Sequence, residues 1–149
     1  MSTLLVVHHT PSPPTHELLE AVLAGAADPG IEGVTVRCVP ALGATVPDVL
    51  GADGYLFGTS ANFGYMSGAL KHFFDTTYYP CLGAVAGRPY GVWVHGNNDT
   101  AGAVSAVRKI ATGWGLELAA EALELTTVNK ASRDSGYELG GTLAATVMG

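Results

Sequence analysis

At 149 residues the chain has the length of one domain, and we expect a single domain over residues 1–149 with a full hydrophobic core. Its formal charge of −6 and the lack of a basic cluster exclude nucleic acid as an expected partner and disfavour anionic membrane surfaces. Only 13% of the residues are charged, which favours a homo-oligomer that buries part of its surface.

Strand-like and helical segments alternate along the chain, a pattern typical of a parallel α/β sheet. Apolar runs predict strands at residues 3–8, 34–39, 54–58, 90–95 and within 116–128, with 123–127 as the preferred core of the last. Helical spacing predicts helices at residues 15–27, 64–76, 100–113 and 137–148. The intervening loops include a proline- and glycine-punctuated segment at 78–87 and a polar segment at 129–136.

Hydroxyl side chains crowd the loop after the first strand. Thr10, Ser12 and Thr15 lie between an apolar run at 4–7 and a helical pattern that includes Leu18. A strand, a hydroxyl loop and a helix N-terminus together offer O–H donors, N–H donors and the positive end of a helix dipole. This arrangement predicts a phosphate site without lysine or arginine, suited to a cofactor monoester. The alternative is a proline-rich turn in which Thr15 simply caps the helix.

Two further loops, at residues 59–64 and 95–100, follow the third and fourth predicted strands. In a doubly wound sheet of order 2-1-3-4-5, ligands bind at the carboxyl ends of the strands near the switch point. We therefore expect the loops after strands one, three and four to line one crevice. His8 and His9 are adjacent on a strand and point to opposite faces, so we expect no metal site there.

Two of these segments carry sequence motifs. The spacing Thr10-x-Ser12-x-x-Thr15 resembles the first phosphate loop of flavodoxin-like FMN proteins. Residues 53–75, with the string Phe63-Gly64-Tyr65-Met66-Ser67-Gly68, resemble the central motif of flavodoxin-like NAD(P)H-dependent quinone and FMN reductases. Residues 88–100 stand where that family places its third flavin loop. The resemblance covers roughly residues 3–127 and implies a flavodoxin-like three-layer sandwich, with a five-stranded parallel sheet of order 2-1-3-4-5 and helices on both faces.

The resemblance implies FMN as the cofactor, held by all three loops. The phosphate contacts it implies come from the first loop, at Thr10, Ser12, Thr15 and His16. The ring contacts come from the other two loops, at Thr59, Ser60, Ala61, Asn62, Phe63, Gly64, His95, Gly96, Asn97, Asn98 and Asp99. The chain departs from the family pattern at Pro13 and Pro14, where glycine and asparagine are usual, and proline has no N–H to donate.

The resemblance further implies an FMN-binding oxidoreductase that transfers electrons from NAD(P)H to a quinone, flavin or similar small-molecule acceptor. The flavin carries the redox chemistry, so no catalytic side chain is required. A flavodoxin-type electron carrier with protein redox partners stays open, although such carriers are usually more acidic. A flavin-free relative with a regulatory role is a third alternative. Lys130 and Arg133 are the candidate anchors for the pyridine nucleotide.

The cysteines and apolar runs bear on the compartment. Cys38 and Cys81 lack metal-ligand spacing and are typical of reduced thiols, which predicts a cytoplasmic protein. No apolar stretch approaches the length that spans a bilayer, so we expect no membrane insertion.

Overall fold

Parallel strands form the central sheet in the computed structural model, which describes residues 1–149. The strands are β1 (Ser2–His8), β2 (Val34–Pro40), β3 (Gly54–Ser60), β4 (Pro89–His95), β5 (Glu117–Leu118) and β6 (Leu123–Leu125). Their order is β2-β1-β3-β4, after which β5 and β6 pair with successive parts of β4. The two short strands take the place of one fifth strand, and the predicted order 2-1-3-4-5 is confirmed.

Five α-helices flank the sheet: α1 (Pro13–Ala26), α2 (Val46–Leu50), α3 (Gly68–Cys81), α4 (Thr100–Gly113) and α5 (Lys130–Val147). The side chains of β1 point alternately into two hydrophobic cores, one on each face of the sheet, because successive residues of a strand point to opposite faces. Leu4 and Val6 pack with α1 and α5, whereas Leu5 and Val7 pack with α3 and α4. The sheet is therefore covered on both sides.

None of the helices combines the length and apolar content needed to cross a membrane.

Close contact between α1 and α5 depends on glycine. A Cβ added at Gly25 would lie 1.8 Å from the carbonyl oxygen of Tyr137, and one added at Gly140 would lie 2.0 Å from that of Val22. Larger residues at either position would force the two helices apart. This packing fixes α5 against the helix that follows the first loop.

Three predicted helix starts are wrong, those of α1, α3 and α5. Helix α1 begins at Pro13, ahead of the predicted start at Thr15, because Ser12 is its N-cap and proline is tolerated in the first turn, where the N–H has no intrahelical acceptor. Helix α3 begins at Gly68, because Ser67 caps it and residues 62–65 form a separate turn. Its last turn also reaches Cys81, into the segment predicted as a loop from residue 78.

The predicted polar loop at 129–136 is also wrong, because it forms the first two turns of α5. Asn129 is the N-cap, and its side chain accepts from the N–H of Ser132 at 2.9 Å. The Ser132 hydroxyl in turn accepts from the N–H of Asn129 at 2.7 Å. This reciprocal capping box starts the helix, and its exposed polar face explains why the segment is polar.

Candidate functional site

The carboxyl ends of β1, β3 and β4 are in register at one edge of the sheet. His8 is paired with Gly58, and Ser60 is paired with His95. Hydrogen bonds continue the ladder past the strands, since the N–H of His9 donates to Gly58 at 2.9 Å and the N–H of Ala61 donates to His95 at 2.9 Å. The three loops at residues 9–12, 61–67 and 96–99 therefore begin at the same edge.

Two of the three hydroxyl groups in the first loop hydrogen-bond to each other. Ser12 and Thr15 form a capping box, in which the N–H of Ser12 donates to Thr15 Oγ1 at 3.0 Å and the two hydroxyl oxygens are 2.9 Å apart. Thr15 is only 4% exposed. Thr10 Oγ1 lies 2.9 Å from His8 Nδ1. The structure thus pairs the hydroxyls of Ser12 and Thr15 at the start of α1, whereas that of Thr10 contacts His8. The alternative of Thr15 as the N-cap is wrong, because Ser12 is the N-cap and Thr15 stands at the third helical position.

Few backbone N–H groups in this loop are free. The N–H of Thr15 faces Ser12 Oγ at 3.4 Å, and the N–H of His16 donates to the Ser12 carbonyl at 2.9 Å. Pro11, Pro13 and Pro14 have none to donate. Within residues 10–16 only the N–H of Thr10 makes no hydrogen bond. The expected amides of Thr15 and His16 are therefore engaged within the helix start.

Three histidines surround this loop, a feature that the sequence patterns did not single out beyond the rejected metal site. His8 is half-buried, and burial lowers its pKa, helped by the nearby imidazoles of His16 and His9. The Nδ1 atom of His9 is buried and has no hydrogen-bond partner. His16 is exposed, and its Nε2 lies 3.0 Å from Glu20. The adjacency His8-His9 with His16 one helical turn into α1 is the signal that could have revealed the cluster.

The second loop contains a two-residue hairpin turn. Asn62 and Tyr65 form an antiparallel bridge, with N–H to carbonyl distances of 2.8 and 3.0 Å. The central residues, Phe63 and Gly64, have φ angles of 54° and 70°. Positive φ at both central residues is the requirement of a type I′ turn.

Phe63 is an unusual occupant of that turn. A bulky residue in the left-handed region costs roughly 1–3 kcal/mol and is typical of functional sites. Its ring is fully exposed, so no packing within the chain offsets that cost. The turn is therefore a strained backbone segment that presents an uncovered aromatic ring beside the third loop.

The start of α4 supports this turn. Asp99, itself at φ 49°, caps α4 by accepting from the N–H of Gly102 at 3.0 Å. A Cβ added at Gly64 would lie 2.4 Å from Asp99 Oδ2, and one added at Gly102 would lie 2.2 Å from the carbonyl oxygen of Gly64. The second and third loops are thus in direct contact. Gly102 was not among the predicted site residues, because helical spacing gives no sign of a neighbour so distant in sequence.

The remaining predicted residues differ in accessibility. Thr59 is 2% exposed, and its hydroxyl donates to Ser60 at 2.8 Å and accepts from the N–H of Ser67 at 2.9 Å, so it shapes the loop from inside. Ala61 packs against Gly96, where an added Cβ would lie 2.7 Å from the alanine methyl group. Exposed or half-buried positions around the crevice are Ser60, Asn62, His95, Asn97, Asn98 and Asp99.

The predicted nucleotide anchors already have acidic partners. Lys130 Nζ lies 2.8 Å from Asp134, and Arg133 lies 3.5 Å from Glu17 of α1. All four side chains are exposed, and exposed ion pairs contribute little to stability.

In sequence, the chain is similar to a flavodoxin over part of its length. No protein-family model matches the chain. A flavodoxin of Aquifex aeolicus (strain VF5) is 35% identical over 88 residues, which cover 59% of this chain and 46% of that flavodoxin. The chain thus matches less than half the length of this curated relative.

Solved structures resemble the chain over nearly its whole length. A flavodoxin of Streptococcus pneumonia TIGR4 has a TM-score of 0.83 at 19% identity, covering 98% of this chain and 100% of that one. A WrbA-like flavodoxin from Agrobacterium tumefaciens has a TM-score of 0.78 at 19% identity, with coverages of 99% and 98%. An oxidoreductase from Corynebacterium diphtheriae has a TM-score of 0.73 at 18% identity, with coverages of 99% and 97%. The chain therefore has the flavodoxin-like fold.

Proposed function

We propose that the crevice binds FMN and that the protein is an FMN-dependent oxidoreductase, passing electrons from NAD(P)H to a quinone, flavin or similar small-molecule acceptor. The observation that carries the proposal is the strained turn that exposes Phe63 beside the third loop. No part of the chain covers this ring, and a flat aromatic ligand would cover it.

The ring end of the crevice has the donors that a flavin requires. The N–H groups of Phe63 and Gly64 make no hydrogen bond to another backbone group, and neither do those of residues 97–99. These amides could donate to the pyrimidine carbonyls of the isoalloxazine while Phe63 packs against its face. Gly64, held on Asp99, lets the backbone approach the ring edge.

The phosphate end has hydroxyl donors and a helix N-terminus. Thr10 and Ser12 precede α1 and Thr15 lies in its first turn, which has no acidic side chain to oppose an anion. These hydroxyls and the helix N-terminus are what this end offers to a phosphate monoester. Bound FMN would supply two-electron hydride chemistry, and the chain would bind and orient it.

An open ring face favours an enzyme over a carrier. The third loop contributes Gly96, Asn97, Asn98 and Asp99 and no aromatic side chain. A flavin in the crevice would have an aromatic wall at Phe63 and free space on the other face, where a nicotinamide or quinone ring could stack. The Aquifex flavodoxin match favours the second candidate, an electron carrier that acts with protein redox partners.

We further propose a cytoplasmic homo-oligomer. Cys38 and Cys81 are both free, as expected of a reducing compartment. Exposed apolar side chains on α3 and its C-cap support self-association, with Tyr79 at 79% and Leu82 at 48% exposure.

Flavin titration of the purified protein tests the proposal. We expect saturable, stoichiometric quenching of FMN fluorescence, weakened in the Thr10→Ala/Ser12→Ala/Thr15→Ala variant and in Phe63→Ala. The loaded protein should then oxidise NADH or NADPH in the presence of a short-chain benzoquinone. Binding without NAD(P)H oxidation would support the carrier, and no binding at high micromolar FMN would overturn both functions.

A further inference from the structure

The phosphate end of the crevice is poor in the groups that usually hold a phosphate. Three prolines remove amides from the first loop, and the helix start uses those of Ser12, Thr15 and His16. Residues 8–16 contain no lysine or arginine. A phosphate carries two negative charges near neutral pH, so neutral hydroxyls alone would leave it with no cationic partner.

Imidazoles are the remaining donors at this end. His8 Nδ1 lies 2.9 Å from the Thr10 hydroxyl, and the buried Nδ1 of His9 has no partner. His16 stands in the first turn of α1, where the backbone N–H groups point toward the loop. His8 and His16 therefore lie beside the hydroxyls assigned to the phosphate, whereas His9 points to the opposite face from His8.

We propose that His8 and His16 form the cationic part of the phosphate site, so that the loop takes up protons as it binds a phosphate monoester. The proposal rests on the proposed function, because it assigns recognition of the FMN phosphate to these two imidazoles. Hydroxyls and imidazolium N–H groups would then replace the amides that proline removes.

The direction of the pH effect follows from the surroundings of His8. Without an anion, burial and the neighbouring imidazoles lower the pKa of His8 and so favour its neutral form. A bound phosphate dianion favours the imidazolium and raises that pKa. Affinity for FMN should therefore rise as the pH falls from 8.5 to 6.5. This window lies above the second pKa of a phosphate monoester, near 6, so the ligand itself stays largely doubly charged.

Other charged groups lie near the loop. Helix α1 contributes Glu17 and Glu20, and α5 contributes Arg133. Carboxylates and guanidinium groups ordinarily titrate outside the range from pH 6.5 to 8.5. On β2, burial raises the pKa of the Cys38 thiol further above neutrality. Proton uptake in this range thus reports on the histidines.

The experiment compares FMN with riboflavin, which lacks the phosphate. Dissociation constants are measured by flavin fluorescence at pH 6.5, 7.5 and 8.5 and constant ionic strength. We expect FMN to bind about tenfold more tightly at pH 6.5 than at pH 8.5, while riboflavin binding changes less than twofold. Absence of any flavin binding would overturn the proposed function, whereas pH-independent FMN binding would overturn only the role of the histidines.

Histidine variants distinguish a specific contribution of His8 and His16 to FMN binding from a general effect of protein charge. His16→Gln is on the exposed surface and should fold normally, and we expect it to reduce the pH effect on FMN at least twofold. His8→Gln should reduce it further. His72→Gln, an exposed histidine of α3, is the matched control and should leave the effect unchanged.

Histidine ring resonances give a direct second measurement. NMR titration should show higher pKa values for His8 and His16 when FMN is bound than with riboflavin bound. Equal histidine pKa values in the two complexes would contradict the proposal even if the variants weaken binding.

Discussion

The first loop and the turn at residues 62–65 serve one crevice by opposite means. In the first loop, Ser12 and Thr15 satisfy each other through a capping box, and the backbone is regular helix from Pro13. In the turn, Phe63 has a strained φ angle and an exposed ring, and its neighbour Gly64 is held by Asp99 and Gly102 from another part of the chain. The first loop is stabilised by local hydrogen bonds, whereas the turn is stabilised by contacts with residues distant in sequence.

This difference shows where ligand binding must supply energy. A locally satisfied loop must exchange internal hydrogen bonds for those to a phosphate, so its net gain per contact is small. A strained turn that already points its amides and ring outward loses little freedom on binding. We infer that the ring end is preorganised and that the phosphate end depends on added charge.

The largest loss of stability should come from Gly102→Ala, which disrupts the contact between α4 and the turn at residues 62–65. Alanine normally stabilises a helix by about 1 kcal/mol relative to glycine. Here its Cβ would lie 2.2 Å from a backbone oxygen, so we expect a net loss of about 1–3 kcal/mol in the free energy of unfolding and weaker FMN binding. Urea denaturation and flavin titration measure the two effects.

Gly68→Ala is the matched control for that substitution. Gly68 opens α3, and an added Cβ there meets nothing within 4 Å. It should be neutral or slightly stabilising. Equal stability of the two variants would show that the contact between Gly64 and Gly102 does not hold the turn.

Thr15→Val tests the local hydrogen bonds of the first loop. The substitution keeps the shape of a side chain that is 4% exposed and removes the three hydrogen bonds of its hydroxyl with Ser12. Loss of an N-cap interaction costs about 1 kcal/mol, so the urea midpoint should fall with no change in slope. An unchanged midpoint would mean that the capping box does not stabilise α1.

Phe63→Asn should stabilise the ligand-free protein while it weakens FMN binding. Asparagine tolerates the left-handed region, so relief of strain is expected to add up to about 1 kcal/mol to the free energy of unfolding. Loss of the aromatic wall should raise the FMN dissociation constant severalfold. A destabilised variant would indicate that the exposed ring contributes to folding, and the contrast between the loops would then disappear.

The smallest effect should be the pH dependence that His8 contributes to ligand-free stability. Because the folded-state pKa of His8 is lowered, the unfolded chain binds more protons below pH 6.5, and stability falls as the pH drops through that window. His8→Gln should flatten this decline. Solvent screens the half-buried imidazole, so we expect a Tm difference within about 2 °C at pH 5.5. A steeper decline in the variant would contradict the sign.

The sequence by itself determined the layered fold and the position of the loops. Alternating apolar runs and helical spacing place strands and helices in an order that right-handed crossovers allow in few ways. The capping pattern from Ser12 to Thr15 is local and readable, although Pro13 and Pro14 concealed the helix start. Residues 129–136 were misassigned, because a capped helix with a polar face has the composition of a loop.

Tertiary structure alone decided the conformation of the crevice. The positive φ of Phe63 goes against the preference of its side chain, so no local pattern predicts it. The contact between Gly64 and Gly102 forms because the sheet register brings the ends of β3 and β4 side by side. The proximity of His16 to His8 depends on the direction in which α1 runs from the end of β1. Sequence patterns report on neighbours along a strand or helix, whereas these features arise from backbone approaches between distant segments.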